Sequence, residues 1–310
     1  MESRELPMYV CVRRVLTANM SSGCMIAVAG LLACAGANLG SDLLDEKTLA
    51  LQIALARKGI SPGVLDGLMG SRTSAALQAA GTKVVPAEDL WTTYMVTTND
   101  LGRLLPLGQT WLTKSQQERL DYETVLELVA EKAWSHTNLV MRLNPGIDWT
   151  NVPAGTEIKV PKVEPPAPKT KAAFVKIFLG DRVIQAFDAE TNLLAHFPCS
   201  VAASMDKRPV GELHVEAVAA NPNYTFNPEV FPESAEARQL ARKLILPPGP
   251  NNPVGTVWIG LDRPGYGIHG TPRPEAVGRA ETHGCFRLAN WNAELLLKLV
   301  EIGTPVYVEP

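Results

Sequence analysis

Cysteine is scarce in this 310-residue chain, and its five copies are badly placed for a disulfide framework. Cys11, Cys24 and Cys34 lie before residue 40, which leaves only Cys199 and Cys285 beyond. A bridge-stapled scaffold is therefore not readable. Charge of one sign is lacking as well: 29 Lys+Arg stand against 32 Asp+Glu, a net charge of -3 without blocks of like charge. That balance gives no electrostatic footprint for nucleic acid, which is not expected as a partner. No cysteine, histidine or carboxylate recurs at metal-ligand spacing, so neither a metal nor another cofactor is expected. Long apolar runs are absent too. The Gly/Ala-rich stretch 25–37 is shorter than the roughly 20 residues needed to span a bilayer.

That stretch follows Arg4, Arg13 and Arg14, and the combination has the form of a secretory leader over residues 1–40. Leu31-Leu32-Ala33-Cys34 has the form of a bacterial lipobox, in which Cys34 would carry lipid and tether the protein to a membrane. Ala35-Gly36-Ala37 offers ordinary cleavage instead. Either route exports the chain to the periplasm or cell envelope.

The chemistry is concentrated near the C-terminus. Ile268-His269-Gly270-Thr271 is followed by Thr282-His283-Gly284-Cys285-Phe286-Arg287. A thiol attacks as thiolate, and a nearby imidazole that takes its proton is the usual activator. His283 stands two residues from the cysteine and alternates away from it on a strand, whereas His269 can approach from a neighbouring strand or loop. His269 is thus the expected base. In an exported protein a free thiol is open to oxidation, so Cys285 reads as chemistry. Cys199 reads as a small hydrophobe in a strand, and His196 and His214 as packed or solvent-facing strand residues.

An upstream His-Gly, a spacer and then Thr-His-Gly-Cys-x-Arg resemble the signature of the L,D-transpeptidase (YkuD-type) catalytic domain. Gly255-Thr256-Val257-Trp258-Ile259-Gly260-Leu261 and Gly303-Thr304-Pro305-Val306-Tyr307-Val308 extend the likeness over residues 172–310. The resemblance implies a mainly-β, β-sandwich-like domain. It also implies a Cys285 thioester with a peptidoglycan stem tetrapeptide, release of D-alanine and transfer to an amine acceptor in wall cross-linking. His269 would move the proton, and the Gly270 carbonyl would orient its ring. His283 and Gly284 would build the oxyanion loop with Thr282. Arg287 would bind a substrate carboxylate or brace the loop, and Tyr266 would line the donor site. Trp258 reads as a donor-site wall or as core. The rival outcomes are an L,D-carboxypeptidase, an enzyme attaching protein to the wall, and a non-enzymatic wall anchor.

Three further segments make the expected architecture multidomain α+β. Over 41–85, Leu44, Leu51 and Leu55 recur at helical spacing before Gly59, and Ser71 or Thr73 is placed to cap a second helix. This pattern resembles a helical peptidoglycan-binding domain, with a plain helical spacer as the alternative. Over 111–163, an apolar face at 122, 125, 126, 129 and 133 precedes Asn144-Pro145-Gly146 and a strand at 154–161, which together resemble a LysM-type module for glycan strands. Trp134 and His136 there read as core or as ligand contacts. The proline-rich stretch 164–171 is expected to be a stiff linker holding these units apart from the enzyme. Residues 222–253, rich in proline and asparagine, are expected to form a long loop or lid near the cleft.

Overall fold

A computed structural model describes residues 45–310 apart from Thr82, Pro232 and Ala241. The expected leader and Cys34 lie outside the described residues. No described helix is long and apolar enough to cross a membrane.

The first helix, α1 (Glu46–Arg57), starts where Asp45 caps it through the Lys47 amide, and it buries Leu49, Ile53 and Leu55. Helix α2 (Ser71–Ala79) differs from expectation at its start: Gly70 occupies the N-cap, and neither Ser71 nor Thr73 caps it. The Thr73 hydroxyl instead accepts from the Gln52 side chain, which ties the two helices together.

Next comes strand β1 (Trp91–Met95), then α3 (Thr98–Arg103), α4 (Trp111–Ser115), α5 (Val125–Lys132), α6 (Thr137–Leu143) and β2 (Glu157–Pro161). Thr97 and Asp100 form a reciprocal capping box at α3, and Thr124 caps α5. The strand expected at 154–161 is β2, and its antiparallel partner is β1. That partner precedes residue 111, so this small unit begins earlier than its sequence pattern suggested. Val125, Leu128 and Val129 form its buried stripe with Ile158 and Val160.

The remainder forms one eight-stranded mixed sheet in place of the expected β-sandwich. Its order is β13 (Phe286–Arg287), β11 (Gly267–His269), β10 (Val257–Leu261), β7 (Gly211–Ala220), β14 (Pro305–Glu309), β3 (Phe174–Phe178), β4 (Val183–Phe187) and β5 (Leu193–Pro198). The pairs β11–β13 and β14–β3 are parallel. Helix α8 (Asn290–Leu299) accounts for the difference. Its Ala293, Leu296 and Leu299 join Val175, Ile177, Ile184, Phe197, Ile259 and Val306 in one core, so a helix supplies the layer a second sheet would have provided. Short ribbons complete the fold. Strand β6 (Val201–Ala202) pairs with β12 (Ala280–Thr282), and β8 (Tyr224–Phe226) pairs with β9 (Leu244–Leu246), flanking α7 (Ala235–Gln239).

The segment 164–171 does not hold the N-terminal units apart from the sheet. The described residues form one compact unit. Ile60 bridges to His196 on β5, with Ser61 N donating to His196 O and His196 N donating to Gly59 O. Asn292 of α8 donates to the Ser61 hydroxyl, and Trp134 stacks on Trp291 with ring centroids 6.4 Å apart. Buried backbone and amide groups on both sides need these partners, which is why the joint closes. Trp134 is therefore packed, and His136 caps α6 by accepting from the Asn138 amide.

Candidate active site

Two neighbouring parallel strands deliver the candidate base and nucleophile. In the β11–β13 register, Ile268 lies opposite Phe286 and His269 opposite Arg287, which puts Cys285 at the mouth of β13 beside the start of β11. Alternation on β11 sends Ile268 into the core and His269 to the opposite face, where it lies beside Trp258 of β10 and is 5% exposed. Its Nδ1 lies 2.6 Å from the Gly270 carbonyl oxygen. A carbonyl can only accept, so Nδ1 carries the proton and Nε2 presents its lone pair. Burial first, and the Arg287 guanidinium second, push the His269 pKa down to about 4. The ring stacks on Trp258 at 5.8 Å, and a Cβ on Gly267 would strike that indole at 2.6 Å. A Cβ on Gly270 would collide with the Asn290 side-chain oxygen. Glycine at both positions thus lets indole and amide close around the base.

Cys285 is half-buried, and its Sγ donates to the Gly265 carbonyl at 3.3 Å. Among the described residues it makes no hydrogen bond to His269. Burial pushes the thiol up to about 11, opposed by a backbone bond from Gly267 and by Arg287. At neutral pH the resting pair is therefore thiol and neutral imidazole, with Arg287 as the nearby positive charge. Around the thiol the loop is braced. The Thr282 hydroxyl donates to the Cys285 carbonyl at 2.6 Å and accepts from the Gly284 amide at 3.4 Å. A Cβ on Gly284 would sit 3.3 Å from the Tyr266 ring, whose hydroxyl donates to the Lys207 carbonyl at 3.1 Å. Arg287 pairs through its backbone with Ser200 in both directions.

His283 faces elsewhere. It is exposed, its Nε2 lies 3.0 Å from Glu233, and its ring meets the Phe231 edge at 4.9 Å. Both partners belong to the segment 222–253, which is a folded lid and not an open loop. Phe226, Leu244, Leu246 and Ala237 form its core together with Leu120, while Trp111 stacks on Phe226 at 4.2 Å. Tyr224 of β8 is half-buried and close enough to Cys285 and Arg287 for both charges to act on it, although burial is the main cause of its rise to about 12.

Sequence reasoning missed Tyr224, Phe231, Glu233 and Asn290 as neighbours of this site. Only the proline and asparagine density of 222–253 hinted at the lid, and nothing local marked Asn290. Cys199 is fully buried and is a free thiol. Among the described residues no cluster of His, Cys, Asp or Glu could hold a metal ion.

A buried imidazole with a fixed tautomer, a thiol on the adjoining strand and a glycine-containing loop of amides are the parts that cysteine acyl-transfer chemistry requires. Residues 172–308 match the YkuD family model, the L,D-transpeptidase catalytic domain, so the C-terminal half of the chain carries that cysteine-dependent enzyme domain. A Bacillus licheniformis protein named for the L,D-transpeptidase YkuD is 27% identical over 185 residues, covering 60% of this chain and 93% of that relative. Bacillus subtilis YqjB, also named for an L,D-transpeptidase, is 35% identical over 108 residues, covering 33% of this chain and 52% of its own length. L,D-transpeptidase 3 from Mycobacterium tuberculosis aligns with a TM-score of 0.36 and 17% identity over 52% of this chain and 77% of that one. No family model identifies the segments before residue 172.

Proposed function

We propose that the protein is an exported peptidoglycan L,D-transpeptidase. Cys285 attacks the carbonyl between the third residue and the terminal D-alanine of a stem tetrapeptide, and its proton passes to Nε2 of His269. The C–N bond breaks, the same proton leaves with D-alanine, and a thioester remains on Cys285. A side-chain amine of a second stem then attacks the thioester, restores the thiol and completes the cross-link.

The observation that carries this reading is the 2.6 Å contact between His269 Nδ1 and the Gly270 carbonyl, beside the strand that bears Cys285. Orientation is the task an aspartate performs in other triads, and a backbone oxygen performs it without adding charge. Amides around His283, Gly284 and Cys285 would receive the developing oxyanion, where one donor is worth about 2.7 to 4 kcal/mol. Arg287 keeps two readings, substrate carboxylate and loop brace. Tyr266 and the lid residue Tyr224 would wall the donor. The segments 45–80 and 91–161 would engage the polymer's glycan strands, and a lipid on Cys34 would tether the enzyme.

Incubation with disaccharide-tetrapeptide, followed by mass spectrometry, tests the reading. Cross-linked dimers establish transpeptidation, and tripeptide alone makes the enzyme a carboxypeptidase. Full activity in Cys285→Ala would sink the mechanism.

A further inference from the structure

A cavity of about 710 Å³ opens on the side of the sheet away from its core, between α2 and the strands β3, β4 and β5. Its floor follows from the strand register. Val183 lies opposite Pro198 and Gln185 opposite His196, and these side chains point away from the core formed by Ile184 and Phe197. Ser71, Arg72 and Gln78 of α2 form the roof, and Arg182 and Gly278 close one end. The volume falls within the range of about 300 to 1,000 Å³ usual for small-ligand sites.

Arg72 is held in a built slot. A Cβ on Gly63 would sit 3.1 Å from its Cδ, and a Cβ on Gly278 would sit 3.1 Å from its Nε. Both glycines have left-handed φ, +89° and +93°, so two turns far apart in sequence leave room for one guanidinium. That guanidinium has little else to hold. Among the described residues its hydrogen bonds are two long ones, 3.4 and 3.5 Å, to the Glu275 carbonyl. Burial first, then the Arg279 guanidinium, push its pKa down, against the opposing pull of the Asp66 and Glu275 carboxylates. Arg182 adds a second guanidinium, bonded to the Gly278 carbonyl at 3.2 Å. Asp181 supplies the lining's single carboxylate.

Two further observations point to an anionic ligand. No side chain caps α2 at Gly70, and a Cβ there would meet nothing within 4 Å, so the uncapped end of the helix lies open one turn or less from Arg72. His196 is 3% exposed, yet among the described residues its Nε2 has no hydrogen-bond partner. Gln185 Nε2 lies 3.0 Å from its Nδ1. An amide nitrogen donates, so Nδ1 accepts and the unpartnered Nε2 carries a proton.

We infer that this cavity is a second ligand site, separate from the Cys285 cleft, which takes a carboxylate-bearing polar ligand through Arg72, the α2 amides, Arg182 and Gln185. A planar guanidinium matches a carboxylate through paired hydrogen bonds. Peptide stems of the wall polymer end in such a group; naming them as the occupant rests on the proposed function. The site also has a mechanical address. Gly278 donates to the Ser200 hydroxyl at 3.1 Å, and the loop it belongs to joins the base strand to the nucleophile loop.

Amide chemical-shift mapping on the full chain carrying Cys285→Ala tests the inference, with disaccharide-tetrapeptide as one probe and inorganic phosphate as the other. The tetrapeptide should give saturable shifts at Arg72, Gln185 and Gly278, distinct from shifts at Tyr266 and His269 that report the cleft. Arg72→Ala should weaken the cavity response by about tenfold or more, the loss of one charge-assisted contact. Gln78→Glu, at an exposed helical position, should weaken it by repulsion if Arg72→Ala does not fold. Either variant should leave the cleft response unchanged. Shifts confined to the cleft would overturn the second site, and equal binding of bare phosphate would overturn the ligand class. Wild-type turnover keeps the two readings distinguishable. Products without cavity shifts defeat this inference alone, whereas cavity shifts without products defeat the proposed function alone.

Discussion

The two histidines that flank the cysteine motif end in opposite settings, although the sequence places each beside a glycine. His269 is sealed by Trp258, Gly270 and Asn290, and its Nδ1 contact with the Gly270 carbonyl fixes a tautomer. His283 is exposed and answers to two lid residues, Glu233 and Phe231. The difference teaches that position near the thiol does not make a base. Burial on an inner strand and a locked Nδ1 do, because they leave one lone pair in one place.

The sharpest break of that contrast is kinetic. His269→Gln should lower the turnover of disaccharide-tetrapeptide by roughly a thousandfold, within the range for loss of a general base. His283→Ala should lower it by less than about tenfold, since it removes only an exposed pair and an edge contact. Initial rates decide the matter, and comparable losses in the two variants would erase the distinction.

The thiol gives the next largest effect. Burial raises the Cys285 pKa from 9.0 to about 11, so less thiolate is present at neutral pH. Two pH units mean alkylation by iodoacetamide about a hundredfold slower at pH 7.5 than for an unperturbed thiol. The rate should climb by about tenfold per pH unit through pH 9. A plateau near neutrality would instead reveal a thiolate-imidazolium pair and a base less isolated than His269 is here. Cys199 should not compete, being fully buried with its pKa pushed up further by that burial.

Gly270→Ala probes the wall behind the base. The added Cβ would collide with the Asn290 side-chain oxygen, which accepts from the Thr256 amide and cannot withdraw freely. Overpacking of this kind costs about 1 to 3 kcal/mol. Gly284→Ala, whose Cβ would sit 3.3 Å from the Tyr266 ring and whose φ of +157° strains an L side chain, should still cost less, because the ring can shift while the Asn290 oxygen is held. Thermal unfolding of the two variants gives the order, and the reverse order would mean that the nucleophile loop is the more rigid half.

How much of this was legible beforehand follows the range of the interactions. Strands β3, β4 and β5 were readable because their alternation is local, and the His-Gly and Thr-His-Gly-Cys-x-Arg spacing marked the site. Strand β1 was not readable, since its pairing partner lies beyond α6 and only the register reveals it. The expected β-sandwich failed for a related reason. Asn290–Leu299 follows the motif directly and covers the sheet as a helix, a choice made by tertiary packing. The supposed spacer at 164–171 was read from proline stiffness alone. Contacts such as Ile60 with His196 and Asn292 with Ser61 join residues too far apart for any local pattern to announce.

The smallest expected effect lies at the far end of the base-side wall, where Asn290 donates to Glu131 of α5 at 3.0 Å and the Tyr122 hydroxyl donates to the same oxygen at 3.3 Å. Burial first raises the Glu131 pKa from 4.5 to about 7, with Glu294 and Glu127 adding to the rise. The folded state therefore holds this proton more tightly than the unfolded chain does. Its contribution to stability is complete below pH 4.5 and is lost as pH rises through about 7. Glu131→Gln keeps an oxygen to accept from Asn290 and Tyr122 while removing the charge, so the variant should gain on the native protein across that window and hold a constant lead above it. The residue remains half-buried and solvent screens part of the penalty, so the expected lead at pH 8 is about 1 kcal/mol. Urea unfolding at pH 5 and pH 8 measures it. A lead that does not grow between the two would mean the carboxylate is ionised in the fold, and that a charge, not a neutral hydrogen-bonded oxygen, stands behind Asn290.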